Sequence, residues 1–277
     1  MDYLQSLIMG LVQGLTEFLP VSSTAHLILT PSIFGWKLTP EFTQARFAFD
    51  ILVQWGTLVA VLVYFWRDLW NIGCAVATGL IKRDPFGTTD ARLGWLTVVA
   101  TIPAVVAGVG LNHEIERLHA RPFVIVGVLI VFSGMIYAIE RLGRRNRSLD
   151  QLNWRDALVI GLGQALAIVP GVSRSGATIC GGLLVGLDRT AAARFSFIVS
   201  IPALTGAGIL AIHELGKSQH LAAILPSMLL GTAAAAIVGF ACIHWLLGYL
   251  ARHSMDIFVW YRVLAGLAFL AILYFRG

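Results

Sequence analysis

The sequence predicts an all-α polytopic membrane protein with six transmembrane helices and two re-entrant helical hairpins in an inverted-topology repeat. Three observations carry this prediction. Of 277 residues, 57% are hydrophobic and only 13% charged, against about 25% charged in soluble domains. Segments 93–112, 122–139, 195–213 and 218–251 contain no Asp, Glu, Lys or Arg, and each can cross a hydrocarbon core about 30 Å thick. Two further apolar segments, 3–36 and 157–187, hold one charge each, Glu17 and Arg174, and both are interrupted by proline.

The first hairpin occupies residues 3–36. As one straight helix it would run about 50 Å, too long for a single span, and it is too short for two. Pro20 and Pro31 break it, so the segment is expected to enter and return, with its tip at Phe18–His26, FLPVSSTAH. Irregular backbone is tolerated at membrane depth only where protein or water covers it. Spans follow near 47–66, 93–112 and 122–139, then the basic linker 140–156. The second hairpin, 157–187, breaks at Pro170-Gly171, and spans near 195–213, 221–247 and 257–275 complete the chain. The repeats therefore run from about 1 to 145 and from about 150 to 277.

An offset of 151 pairs Gly10, Leu11, Gln13, Leu15, Val21 and Ser22 with Gly161, Leu162, Gln164, Leu166, Val172 and Ser173. A hairpin returns to its own side, so three intervening spans deliver the second copy from the opposite face. The two tips can then meet near the midplane, as in transporters with broken helices.

Basic residues set the orientation. Arg67, Lys82, Arg83, Arg92, Arg141, Arg144, Arg145, Arg147, Arg155, Arg189, Arg194 and Arg252 fall on one side. Lys37, Arg46, Arg117, Arg121, Lys217 and Arg276 fall on the other. The richer side is cytoplasmic, which places both termini outside. A pI near 9.4 invites nucleic acid as a partner, but the cations lie in short loops between spans rather than in a patch with interleaved aromatics, so none is expected. Cys74, Cys180 and Cys242 lack metal or disulfide spacing and read as small buried hydrophobes. The N-terminal MDYLQSLIMG lacks the features of a cleaved signal peptide.

Charges inside apolar segments mark function unless a partner explains them. Contact between the tips would assemble Gln13, Glu17, Ser22, Ser23, Thr24 and His26 with Ser173, Arg174, Ser175 and Thr178. Gln13 and Glu17 are spaced to share a helical face, and His26 follows Ser23 by one turn, near enough to take its proton. Pro170, Gly171 and Gly176 free backbone N–H groups around Arg174, which suits a phosphate. Blander readings exist: Glu17 bonding backbone freed near Pro20, or the hydroxyls at 22–24 capping a helix. Asp50 and Arg262, each the single charge of its span, read as supporting residues.

QGLTEFLPVSSTAH (13–26), FDILVQWGTLVAV (49–61) and PGVSRSGAT (170–178), in this order, resemble the bacterial undecaprenyl-diphosphatase family associated with bacitracin resistance. The resemblance implies a multi-pass enzyme of the bacterial inner membrane. Its members hydrolyse undecaprenyl diphosphate to the monophosphate carrier and inorganic phosphate, at a site open to the outer face, using a divalent cation, Mg2+ or Ca2+. Glu17, Ser23, His26 and Arg174 are then catalytic. Gly171, Ser173, Arg174, Ser175 and Thr178 bind the diphosphate, and Glu17 with Gln13 holds the metal. Gln13 stands at a position often acidic, Ala25 where glycine is usual, and Asp50 where glutamate is usual. The partners implied are a polyprenyl diphosphate and membrane lipid, with a homodimer left open. The rival reading on the same architecture is a lipid-phosphate translocase.

Overall fold

The computed structural model describes residues 2–36, 40–111, 114, 117–118, 121–215 and 221–276, without the side chains of 40–48, 51, 207, 210–215, 221–224 and 276. Lys37, Arg46, Lys217 and Arg276, used above for orientation, fall outside that description or have side chains that do. Among the described residues there are eleven α-helices: α1 (Tyr3–Glu17), α2 (Ser23–Phe34), α3 (Pro40–Tyr64), α4 (Trp66–Ile81), α5 (Thr89–Gly110), α6 (Pro122–Leu142), α7 (Trp154–Leu166), α8 (Arg174–Leu184), α9 (Arg189–Leu215), α10 (Leu221–Leu250) and α11 (Asp256–Arg276).

The four helices α5, α6, α10 and α11 are long and apolar enough to cross a bilayer, and the bent pair α3–α4 makes up to five. The chain is a multi-pass membrane protein. The two other expected spans, near 47–66 and 195–213, lie in α3 and α9. Val98, Ile102, Val105, Val106 and Val109 on α5 are all more than half exposed, as suits a face turned to lipid rather than water.

Two expectations are corrected. The stretch 67–92, expected as a cytoplasmic loop between the spans near 47–66 and 93–112, is helical over its first half, in α4 (Trp66–Ile81), bent 76° from the end of α3. With only Arg67 and Asp68 charged among its residues, that helix has enough apolar side chains to pack one flank on α5, which a loop assignment made from Arg67, Lys82 and Arg83 overlooked. Pro31 does not break the first hairpin. It sits in the last turn of α2, and the helix ends instead at Gly35, which caps it with a φ of 64°, a conformation glycine adopts freely. Cys180 and Cys242 are buried as expected, whereas Cys74 on α4 is exposed.

Each expected hairpin is a pair of helices around a short break. In the first, α1 starts on an Asp2 capping box with Gln5 and stops at Glu17; Phe18–Ser22 is irregular, and α2 begins at Ser23. In the second, α7 starts on an Asn153 capping box with Asp156, and α8 begins at Arg174 after a break that includes Gly171 at φ +99°. The residue before α2 is Ser22 with φ 75°, and the residue before α8 is Ser173 with φ 84°. Non-glycine residues rarely adopt positive φ, and these two serines are separated by the offset that pairs the hairpins in sequence.

Each hairpin packs against a helix of the other half. A Cβ added to Gly10 on α1 would lie 2.1 Å from the Gly231 carbonyl oxygen on α10, and one added to Gly161 on α7 would lie 2.5 Å from the Ala100 carbonyl oxygen on α5. Gly10 and Gly161 are again 151 apart. Close backbone approach through small residues is how helices associate where lipid removes most of the hydrophobic drive.

The basic linker is pinned between α6 and α7. Glu140, fully buried, pairs with Arg189 and with Arg145. Arg147 bonds Asp156 at 2.6 Å and the Val185 carbonyl at 2.6 Å.

Gly10→Val and Gly161→Val should each destabilise the protein by about 1–3 kcal/mol, because the added methyls meet backbone that cannot yield as a side chain would. Thermal unfolding in detergent would show this as a lowered midpoint, with Gly127→Val, where the added Cβ meets nothing within 4 Å beyond its chain neighbours and its own helix backbone, as the silent control.

Candidate functional site

The two breaks meet. Glu17 ends α1 and Arg174 opens α8, and an Arg174 Nη2–H donates to Glu17 Oε1 at 2.7 Å. The side chains are only 6% and 18% exposed, so the ion pair lies inside the protein. The expectation that the acid of one tip meets the cation of the other is borne out.

Glu17 is the hub. Its Oε2 accepts from Gln13 Nε2 at 2.9 Å and from Ser23 Oγ at 2.6 Å. Helical spacing explains the first bond, since Gln13 and Glu17 lie one turn apart. The break explains the second: α1 stops at Glu17 and α2 restarts at Ser23, which turns the serine back over the carboxylate.

His26 is placed differently from expectation. Nδ1 is 2.8 Å from the Ser22 carbonyl oxygen and Nε2 is 2.8 Å from the Tyr261 hydroxyl of α11. With the backbone accepting from Nδ1–H, Nε2 is left to accept from tyrosine, and the ring stacks on Tyr261 at 5.7 Å between centroids. The group that receives the Ser23 hydrogen bond is Glu17, not His26. One helical turn from Ser23 puts His26 nearby, yet the turn also returns the imidazole to the Ser22 carbonyl, which accepts from the His26 backbone N–H at 3.3 Å as well.

In the second tip, Ser173 Oγ accepts from the Gly176 N–H at 3.1 Å and so caps α8, and it lies 3.2 Å from Ser175 Oγ. Ser175 Oγ donates to the Leu19 carbonyl at 2.9 Å, a direct tie between the breaks. Thr178, expected to bind the diphosphate, makes its hydrogen bonds to protein groups. Its hydroxyl lies 2.7 Å from the Arg174 carbonyl oxygen, 3.2 Å from that of Ser175 and 2.5 Å from Ser196 Oγ on α9, and the residue is fully buried. These bonds steady the first turn of α8. The Gly171 carbonyl is likewise taken, by Arg262.

Several buried polar atoms have no protein partner: Gln13 Oε1, Ser22 Oγ, Arg174 Nη1 and both amide atoms of Gln164. Buried polar groups are nearly always satisfied, so this cluster at the two breaks marks where a polar ligand or water belongs. The set offers a cation at Arg174, a hydroxyl at Ser22, and acceptor oxygens at Gln13 and Glu17. Among the described residues no group of three or more His, Cys, Asp and Glu could cage a metal. Two hard oxygen donors, the Glu17 carboxylate and the free Gln13 carbonyl, nonetheless fit a cation that takes its remaining ligands from phosphate and water.

Sequence reasoning missed Tyr261, Ser196 and Gln164. Tyrosine near a span end ordinarily reads as an interfacial anchor, and serine in a span carries no signal. Gln164 had one, its alignment with Gln13.

Two helix pairs whose breaks meet in a buried ion pair, beside a serine hydroxyl held on the same carboxylate, define a polar centre within a multi-pass helical membrane protein. Residues 6–268 match the family described as bacitracin resistance protein BacA. Relatives named undecaprenyl-diphosphatase include one from Desulforudis audaxviator, 45% identical over 100% of this chain and 100% of its own length. Another, from Thermomicrobium roseum, is 45% identical over 99% of both, and one from Chlorobaculum tepidum is 42% identical over 99% of this chain and 98% of its own. The chain belongs to the BacA family, as the motifs at 13–26 and 170–178 led us to expect.

Thr178→Val should cost about 1–2 kcal/mol by removing the hydroxyl partner of the buried Ser196 Oγ. Its Michaelis constant should stay within about threefold of the parent's, because the hydroxyl is engaged by protein groups. Thermal unfolding and steady-state kinetics in detergent would separate the two effects.

Proposed function

We propose that the chain hydrolyses undecaprenyl diphosphate to undecaprenyl phosphate and inorganic phosphate, the activity for which its relatives are named. The observation that carries this reading is one carboxylate, Glu17, bonded at once to a hydroxyl nucleophile, Ser23, and to a guanidinium, Arg174. Cleaving a phosphoric anhydride needs little covalent machinery beyond a placed nucleophile and neutralised charge.

In this mechanism the Arg174 Nη1–H groups, free of protein partners, bind the terminal phosphate, helped by Ser173, Ser175 and N–H groups from the first turn of α8. Ser23 Oγ attacks the terminal phosphorus as its proton passes to Glu17 Oε2. The P–O–P bond breaks and undecaprenyl phosphate leaves. Water then hydrolyses the phosphoserine, releasing inorganic phosphate and restoring the hydroxyl. His26, held by Ser22 and Tyr261, orients the start of α2 and remains next to the reacting groups. A divalent cation, Mg2+ or Ca2+, would be held by Glu17 and Gln13 and would supply charge neutralisation at the phosphate oxygens.

The inverted repeat belongs to the same proposal, with repeats over about 1–145 and 150–277. The matched positive-φ serines and the matched glycine contacts support it. The excess of loop cations on the 140–156 side supports an inner-membrane orientation with both termini outside and the site open to the outer face. The prenyl tail stays in lipid, since moving it to water would cost about 0.8 kcal/mol per methylene. The translocase alternative needs no nucleophile, whereas Ser23 is held on a carboxylate.

Arg174→Ala and Glu17→Ala should each lower turnover at least about 100-fold while the protein still inserts and purifies. The assay is phosphate release from undecaprenyl diphosphate in detergent micelles, where no compartments exist for transport; parental rates in either variant would remove that residue from the mechanism.

Quenching turnover of substrate labelled in the terminal phosphate should leave label on Ser23. Unlabelled protein, together with Ser23→Ala retaining substantial activity, would establish direct attack by water instead.

A further inference from the structure

We propose that Arg262, in α11, is the positioning residue that locks the two breaks together and so keeps Glu17 opposite Arg174. Arg262 is 0% exposed and heads the largest fully buried side chains. Among the described residues no carboxylate lies within ion-pair distance of it. Its donors go elsewhere: Nη1 to the Pro20 carbonyl at 3.3 Å, Nη2 to the Gly171 carbonyl at 2.9 Å and the Leu129 carbonyl at 3.0 Å, and Nε to Ser133 Oγ at 2.9 Å. The guanidinium also lies over the Phe132 ring at 5.5 Å.

Pro20 and Gly171 are 151 residues apart. One planar fork therefore holds the corresponding carbonyl of each break. Those carbonyls need a donor, because the helix that would have supplied it has stopped, and irregular backbone at this depth has no water to turn to. Arg262 needs them equally, because an isolated buried cation is costly unless hydrogen bonds compensate it. The dependence is mutual, and it reaches the chemistry over short levers. Pro20 stands three residues from both Glu17 and Ser23, and Gly171 three residues from Arg174. Lysine carries the charge but lacks a rigid fork able to reach both carbonyls at once.

The proposal deepens the phosphatase reading and rests on it for its kinetic test. Arg262→Lys should fold, keep KM within about threefold and lose at least about 30-fold in kcat, as expected when reacting groups are displaced by a fraction of an ångström to an ångström. Ser133→Ala, which removes the bond that aims the fork, should lower kcat by about threefold with KM unchanged. A second readout is independent of activity. In a Cys74→Ser background, cysteines at Leu19 and Ser175, the residues that touch across the breaks, should be joined by a short thiol-specific bifunctional reagent. The same pair should react at least about tenfold more slowly when Arg262→Lys is added.

Cross-linking at equal rates with and without Arg262→Lys overturns the proposal, as does a folded Arg262→Lys protein with kcat within threefold of the parent's. If the lysine variant fails to fold, Ser133→Ala with parental kcat overturns it. A parent that releases no phosphate would instead remove the phosphatase reading, and the cross-linking rates would still decide the role of Arg262.

Discussion

A carboxylate inside a membrane protein is tolerable only if something holds its charge, and Glu17 is held by Arg174 from the opposite break. The pair is what joins the two broken hairpins at their reactive ends. Removing one partner would leave the other buried and uncompensated, at a cost of about 3–5 kcal/mol. That energy helps hold together the two breaks that Pro20 and Pro170-Gly171 open in the chain. The strain visible at Ser22 and Ser173, both at positive φ, is sustained because the contacts across the breaks specify it.

The ion pair does not act alone. Ser175 ties α8 to the Leu19 carbonyl, Thr178 steadies the first turn of α8 through Ser196, and Tyr261 fixes His26. The groups proposed to react thus sit on helix ends, and those ends are held by bonds to one another, to Ser196 of α9 and to Tyr261 of α11. Preorganisation of this sort is what catalysis by charge placement requires, because donors that need not reorganise stabilise charge most.

Selectivity for a lipid diphosphate follows from the same geometry. Gln13, Ser22 and Arg174 each leave a polar atom without a protein partner beside the breaks, while the surrounding helices expose apolar faces. A headgroup can be neutralised between the tips while its tail never leaves lipid.

Much of this was legible in residue order. Charge-free runs of membrane length announce a polytopic helical protein, and single charges in segments broken by proline announce the sites, since hydrocarbon makes an idle charge expensive. The offset of 151 named in advance the serines that adopt positive φ and the glycines that admit a neighbouring backbone. Other features had no local signature. Whether Ser23 faces His26 or Glu17 depends on the turn through Phe18–Ser22, which spacing along a helix cannot describe. Thr178 reads as a ligand within PGVSRSGAT and becomes a buttress only because Ser196 of α9 stands beside it. Arg262 is visibly an intramembrane cation, but its acceptors are backbone carbonyls, which every residue possesses and no sequence pattern marks. Periodicity and transfer cost act residue by residue and so can be read from a string; which orphaned groups satisfy one another is decided only when distant segments pack.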